Sequence, residues 1–201
     1  MVLSDKVETP EKHSSPSLLS LAPYALEIGG LPLGSPALRC SAAETEVLPY
    51  RGVAVDCREL EEYLYEQIPL SKTMGVQVLN AGWDGVQLTA PLQPNINHQD
   101  TVFGGSMSAV AILAGWALVY VRLRQEGIQS SVVIQRNTMN YDRPIPGEFT
   151  ALSTVEDSTA WQRFVKVLKR KNRARIPVAV RLFFEGQSAG LLEGDFVAIG
   201  A

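Results

Sequence analysis

The chain has 201 residues, of which 46% are hydrophobic, and a formal net charge of −3 at pH 7. This length suits one folded domain with an appended segment, because two domains would need more buried surface than it supplies. The near-neutral charge excludes a strongly basic nucleic-acid-binding protein, and no apolar run reaches the roughly 18 residues of a membrane span.

Residues 1–50 form the first segment. Half of the 12 prolines fall here, among serine, glycine and alanine, without sustained apolar periodicity. This composition predicts a weakly ordered N-terminal extension. Pro23, Glu27 and several glycines interrupt its apolar stretch, which argues against a secretory signal and favours a cytoplasmic protein.

The ordered part is predicted to start near Asp56 with a helix and a hairpin. Asp56 is a good N-cap residue, and Pro69 is expected to stop the helix. The apolar residues between them recur at helical spacing: Leu60, Tyr63, Leu64 and Ile68. Residues 75–92 alternate between apolar and polar on both sides of 81–85, which predicts a β-hairpin.

A long helix is predicted for residues 105–124. It is apolar on nearly every side, so it should be wrapped by other elements rather than laid on a surface. Four strand-like runs follow at 131–144, 147–157, 173–186 and 188–200, with an amphipathic helix at 159–172. This order predicts an α+β fold of the hotdog type, in which an antiparallel sheet wraps a long central helix and an extra helix lies between later strands.

Several stretches carry a family resemblance, among them "EQIPLSKTMGVQV", "PNINHQDTVFGGSMSAVAILAGW" and "VVIQRNTMNYDRPIPGEFTA". They resemble the "putative thioesterase" hotdog domain found at the C-terminus of YiiD-type acetyltransferase fusions. The resemblance covers residues 56–200, and no acetyltransferase-like sequence precedes it, so a stand-alone form is expected. It implies a malonyl-ACP decarboxylase that produces acetyl-ACP to initiate fatty acid biosynthesis. The implied partner is a thioester of acyl carrier protein (ACP) or coenzyme A.

The start of the long helix is a candidate oxyanion site. A helix N-terminus offers unpaired N–H groups and a partial positive charge, and glycines let a ligand approach the backbone closely. Gly104, Gly105 and Ser106 therefore suit a thioester carbonyl, with Phe103 beside them at the substrate. Tight packing is the alternative explanation for the two glycines.

Hydrolysis and decarboxylation make different demands on this site. Related hotdog thioesterases pair an H-G-G entrance with an acidic residue on the same helix, whereas Phe103 replaces that histidine here and residues 107–120 contain no carboxylate. Asp100 is the remaining candidate base for hydrolysis, unless it is a solvated loop residue. Decarboxylation needs a stabilised enolate oxyanion and a desolvated carboxylate, and it requires no cofactor.

The loop before the helix supplies two further candidates. The Asn97 amide can hold a thioester or a carboxylate without charge repulsion, or it can form an Asx turn. His98 can protonate the enolate carbon, since histidine titrates near neutral pH, or it can be a solvated loop residue. Asn95 follows Pro94 and is expected to serve the turn.

Cationic residues beyond the helix suggest contacts with substrate or carrier. Arg143 suits a phosphate or carboxylate, or a structural pairing with Asp142 or Glu148. Lys169 and Arg170 belong to a basic cluster that either is a solvated helix face or steers an acidic carrier protein. The cluster is Lys166, Lys169, Arg170, Lys171, Arg173 and Arg175.

Three functions remain open at this stage: a decarboxylase, an acyl-CoA or acyl-ACP thioesterase that uses Asp100, and a non-catalytic module that binds acyl thioesters. A homodimer or higher homo-oligomer is expected, because a single hotdog sheet leaves an apolar edge or face uncovered. No metal is predicted, since the two cysteines and two histidines lack the spacing of zinc ligands. Neither a nucleic acid nor a membrane is an expected partner.

Overall fold

The computed structural model describes residues 55–154 and 158–200, and all structural statements concern these residues. The prediction of a weakly ordered extension over residues 1–50 lies outside them.

The helices and strands follow the predicted order, with one additional short helix. The elements are α1 (Cys57–Gln67), α2 (Pro69–Thr73), β1 (Gln77–Ala81), β2 (Gly85–Ala90), α3 (Gly104–Gln125), β3 (Ser131–Tyr141), β4 (Phe149–Thr154), α4 (Ser158–Lys171), β5 (Arg173–Phe184) and β6 (Gln187–Ile199). The side chain of Asp56 caps α1 by accepting from the Arg58 N–H at 2.7 Å, as its residue type predicts.

The short helix α2 was not predicted. Pro69 does end α1, but it also begins α2, since proline suits the first position of a helix, where the N–H has no partner. Ile68 separates the two helices with a non-helical backbone, at φ −133° and ψ 76°. Proline is thus both a stop signal for α1 and a start signal for α2.

The six strands form one antiparallel sheet in the order β1-β2-β4-β5-β6-β3, and the sheet encloses α3. Alternate residues of β5 are buried on the helix side: Ala174, Ile176, Val178, Val180 and Leu182. Gly115 allows close contact between helix and sheet, because a Cβ there would lie 2.8 Å from the Phe196 ring. The predicted hotdog arrangement is therefore confirmed.

The central helix is long and apolar enough, by length and composition alone, to cross a membrane. The prediction that no apolar segment is long enough was therefore wrong by that criterion. However, 67% of its apolar window is buried inside the protein. The helix is accordingly the core element of the sheet, and its apolar surface is explained by packing.

The helix α4 is anchored at the C-terminal end of α3. Its apolar face is buried through Trp161, Phe164, Val165 and Leu168. Arg122 of α3 is only 4% exposed, and its guanidinium carbon lies 4.4 Å from the centre of the Trp83 ring and 5.0 Å from the centre of the Trp161 ring. Its Nε donates to the Trp83 carbonyl at 2.7 Å. Burial lowers the pKa of Arg122, while Asp84 and Glu126 raise it.

Candidate active site at the start of the central helix

A polar loop after β2 leads into α3, and Asn95 fixes it to the rest of the fold. Its side chain is 2% exposed, and Nδ2 donates to the carbonyls of Met74 and Pro91 at 2.8 Å each. Its backbone carbonyl accepts from the Phe103 N–H at 2.7 Å. Asn95 thus connects the end of α2, the end of β2 and the residue that caps α3, which agrees with the structural role expected from the sequence.

Replacing Asn95 by alanine should lower the free energy of unfolding by about 2 kcal/mol, because two buried carbonyls lose their donor. Urea denaturation of the full chain measures this. Gln93→Ala, at an exposed position in the same turn, is the matched control. Equal stability of the two variants would contradict the anchoring role.

The Asn97 side chain forms an Asx turn. Its Oδ1 accepts from the N–H groups of Gln99 at 2.8 Å and Thr101 at 3.3 Å. Its Nδ2 donates to the Thr101 hydroxyl at 3.0 Å and to the Val102 carbonyl at 3.4 Å. Both polar groups of the amide therefore already have partners, so contact with a substrate would have to share or exchange these bonds.

The other two candidates in the loop lie on the surface. His98 and Asp100 are both exposed. Asp100 has a positive φ of 56°, and its N–H donates to the Asn97 carbonyl at 3.3 Å. Asp100 is thus the only carboxylate between β2 and the start of α3, and it lies in a tight turn outside the helix.

The first turn of α3 carries unpaired backbone donors. Phe103 occupies the N-cap position without a side-chain cap, and the first helical bond runs from the Met107 N–H to the Phe103 carbonyl at 3.0 Å. The N–H groups of Gly104, Gly105 and Ser106 donate to no acceptor in the described part of the chain. The structure therefore brings together the three backbone donors that the sequence predicts.

Two aromatic rings border this turn. The Phe103 side chain is 57% exposed, and its ring occupies the space that a Cβ on Gly105 would need. The Tyr141 hydroxyl donates to the Gly104 carbonyl at 3.2 Å. Tyr141 was not predicted, because only the sheet brings the end of β3 next to the start of α3.

An apolar cavity of about 260 Å³ lies alongside the next turns of α3. Helix α2, helix α3 and β3 form its walls, with Ala109, Ile112 and Trp116 following one side of α3 and Ile134 facing them. Ala109 is one helical turn beyond Gly105. An acyl thioester held at the first turn therefore has an apolar surface beside it.

Arg143 binds a turn of the sheet instead of a neighbouring carboxylate. Its Nη2 donates to the carbonyls of Phe184 at 2.7 Å and Gln187 at 2.9 Å, and its Nη1 donates to the Gln187 Oε1 at 2.5 Å. The guanidinium thus fastens the β5–β6 turn, rather than pairing with Asp142 or Glu148. These bonds use both Nη atoms, whereas the buried Nε has no hydrogen-bond partner among the described residues. The assignment of Arg143 as a substrate residue stays a prediction.

Lys169 and Arg170 are exposed on α4, and they lie far from the first turn of α3. Gly104 contacts Tyr141 at the end of β3, whereas α4 leads into Arg173, which shares the partner Ile199 with Ser131 at the start of β3. The 11 residues of β3 span about 33 Å. Lys169 and Arg170 are therefore too far from the first turn of their own α3 to contact a thioester bound there, and their predicted role toward substrate or carrier stays a prediction.

A sheet that wraps one long helix defines the hotdog class of proteins. Within this class the chain belongs to the family described as "Putative thioesterase (yiiD_Cterm)", whose model matches residues 57–200. The family acts on acyl thioesters. In the described residues, no group of three His, Cys, Asp or Glu side chains could hold a metal ion.

Solved structures show the same fold. A protein of unknown function from Chlorobaculum tepidum TLS is 27% identical, with a TM-score of 0.68, covering 72% of this chain and 94% of that one. A "putative thioesterase" from Shewanella oneidensis is 24% identical, with a TM-score of 0.65, covering 71% and 96%. A thioesterase from Haemophilus influenzae is 16% identical, with a TM-score of 0.58, covering 76% and 96%.

Proposed function

We propose that the protein decarboxylates a malonyl thioester to an acetyl thioester in the cytoplasm, at the first turn of α3. The observation that supports this most directly is a set of three open N–H donors at the start of a helix without any carboxylate. From Gly104 to Gln125 the helix contains neither aspartate nor glutamate. Such a site stabilises an oxyanion, but it offers no base on the helix to activate water.

The reaction proceeds through an enolate. The thioester oxygen accepts from the N–H groups of Gly104, Gly105 and Ser106, and the apolar wall of α3 keeps water from the carboxylate. The bond between Cα and the carboxylate carbon breaks, carbon dioxide leaves, and the electron pair moves through Cα to the thioester oxygen. A proton from water or His98 then adds to Cα, which gives the acetyl thioester.

Hydrolysis is the second candidate, and the family description supports it. Asp100 would then activate a water molecule for attack on the thioester carbonyl, giving a free thiol and a carboxylic acid. This hypothesis requires Asp100, which is exposed in the turn before α3, to reach a water molecule at the first turn of that helix. Full hydrolytic activity in an Asp100→Ala variant would eliminate it.

Mass spectrometry of the products distinguishes the candidate functions. Purified protein incubated with malonyl-ACP, and separately with malonyl-CoA, should yield the acetyl thioester with its thiol still acylated. Malonate together with free holo-ACP or free CoA would instead identify a thioesterase. Unchanged substrate, combined with thermal stabilisation of the protein by the thioester, would identify a non-catalytic binding module.

A further inference from the structure

The exposed side of α4 and the start of β5 carry a concentration of positive charge. Residues 158–181 contain eight lysines and arginines and no acidic residue, although the whole chain has a net charge of −3. We define the basic surface as the five exposed residues Lys166, Lys169, Arg170, Lys171 and Arg173. None of them forms an ion pair with a described residue. Packing does not explain them, since α4 is held by its apolar face.

This surface has the wrong position to serve the site of its own chain. It lies beside the Ser131 end of β3, whereas Gly104 lies beside the Tyr141 end, about 33 Å away along the strand. A carrier protein docked on the basic surface would therefore sit at the end of the molecule opposite to the donors of its own α3.

The strand β3 is an edge of the sheet. Among the described residues, β6 pairs with one side of it and no strand pairs with the other. Val133 and Tyr141 on this strand are 47% and 53% exposed, which is high for large apolar side chains. The Trp116 indole already donates to the Val132 carbonyl at 2.8 Å, so a further strand would pair from Val133 onward. An open strand with exposed apolar residues suits a second copy of itself.

Two-fold pairing of β3 with its copy is antiparallel. It places the Tyr141 end of one strand next to the start of the other, so Gly104 of the partner subunit comes to the end of the sheet where the basic surface lies. Three strand spacings, about 15 Å, then separate β5 from the β3 strand of the partner subunit. Pairing thus brings the basic surface of one subunit and the α3 N-terminus of the partner subunit to the same end of the dimer. Within one chain, the basic surface and the α3 N-terminus lie at opposite ends.

We propose that the basic surface of one subunit docks an acidic carrier protein that delivers its thioester to the α3 N-terminus of the partner subunit. This inference rests on the proposed function. Five cations along two turns of a helix and the strand after it match an extended acidic surface better than the compact phosphates of coenzyme A. Anionic lipid is a weaker match, because the apolar face of α4 is buried and cannot enter a bilayer.

Mixed dimers in which only one subunit has an intact α3 N-terminus test which subunit's basic surface delivers the thioester. In the first, one subunit carries Lys169→Glu with Arg170→Glu and the other carries Gly104→Pro. In the second, one subunit carries all three substitutions and the other is wild type. Delivery across the subunits predicts a normal KM for malonyl-ACP in the first dimer and a KM raised about 10-fold at low salt in the second. The opposite result would establish delivery within one subunit and overturn the proposal.

Homodimers provide the controls. The double reversal should leave the KM for malonyl-CoA unchanged, and Arg58→Glu with Arg181→Glu, which alters the net charge equally away from the basic surface, should leave both KM values unchanged. Asn97→Asp replaces Gly104→Pro if the proline variant does not fold. A monomer in sedimentation, or an unchanged KM for malonyl-ACP after reversal, would refute the inference.

A failure of the proposed function gives a different result. If wild-type protein turns over no malonyl thioester, calorimetry with unloaded ACP still measures docking. A Kd raised about 10-fold by the double reversal would then support the basic surface as the docking site, and an unchanged Kd would overturn it. Binding to anionic vesicles that the reversal abolishes, with ACP binding unaffected, would assign the surface to lipid and also overturn the proposal.

Discussion

Replacing Gly104 by proline should lower kcat for the malonyl thioester about 100-fold without unfolding the protein. Proline removes one of the three open N–H donors, and the loss of a single oxyanion donor typically costs a factor of about 100 to 1000. The backbone accepts the change, because Gly104 is the first residue of α3 and Phe103 before it is extended, at φ −62° and ψ 132°.

Gly104→Ala is the matched control for this experiment. Both substitutions add a Cβ that would lie 3.3 Å from the exposed Tyr141 ring, so the Cβ requires the same displacement of that ring in both variants. Only proline removes the N–H group. Steady-state kinetics and thermal denaturation of the two variants therefore separate the effect of the lost N–H donor from the effect of the added Cβ. Equal activity of the proline and alanine variants would contradict a catalytic role for this N–H.

The overall fold could be predicted because its elements have strong local patterns. Helix α3 is apolar on nearly every side, residues 173–184 form a strand-like run that is mostly apolar, and Asp56 marks the start of α1. These patterns reflect burial, which one segment of sequence reports by itself. Helix α2 was missed because five residues are too few to show a period. The interaction of Arg122 with Trp83 and Trp161 was missed because it joins three distant segments of the chain.

The candidate site could be predicted only in part. The open donors at Gly104 and Gly105 follow from any helix that starts without a capping side chain, so the sequence was sufficient to locate them. The partners of Arg143 depend on the turn between β5 and β6, about 40 residues later, and nothing near Arg143 indicates them. The distance from α4 to Gly104 likewise depends on strand order, which no local pattern contains.

The second large effect is predicted for a substitution of Asn97. Its two candidate roles, contact with the substrate and formation of the Asx turn, respond differently to replacement by aspartate. Asn97→Asp keeps the Asx turn, since a carboxylate also accepts from the N–H groups of Gln99 and Thr101, and the Thr101 hydroxyl can donate to it. The substitution removes only the long bond of 3.4 Å to the Val102 carbonyl. The loop and its stability should therefore be preserved, while a negative charge appears beside the first turn of α3.

That charge should lower kcat/KM for the malonyl thioester about 100-fold. Two like charges about 5 Å apart repel by about 3 kcal/mol at an effective dielectric constant near 20, which corresponds to a factor of more than 100. The acetyl thioester product lacks the carboxylate, so its inhibition constant should not change. Steady-state kinetics with product inhibition measures both quantities, and thermal denaturation checks the loop.

The pattern of losses in Asn97→Asp discriminates between the roles. Weaker binding of malonyl and acetyl thioesters alike would mean that the substitution distorts the loop. Unchanged turnover of the malonyl thioester would mean that Asn97 serves the Asx turn alone, and the carboxylate of the substrate would then lie away from it. Selective loss with the charged substrate places Asn97 beside that carboxylate, because the carboxylate is the one group that the malonyl thioester has and the acetyl thioester lacks.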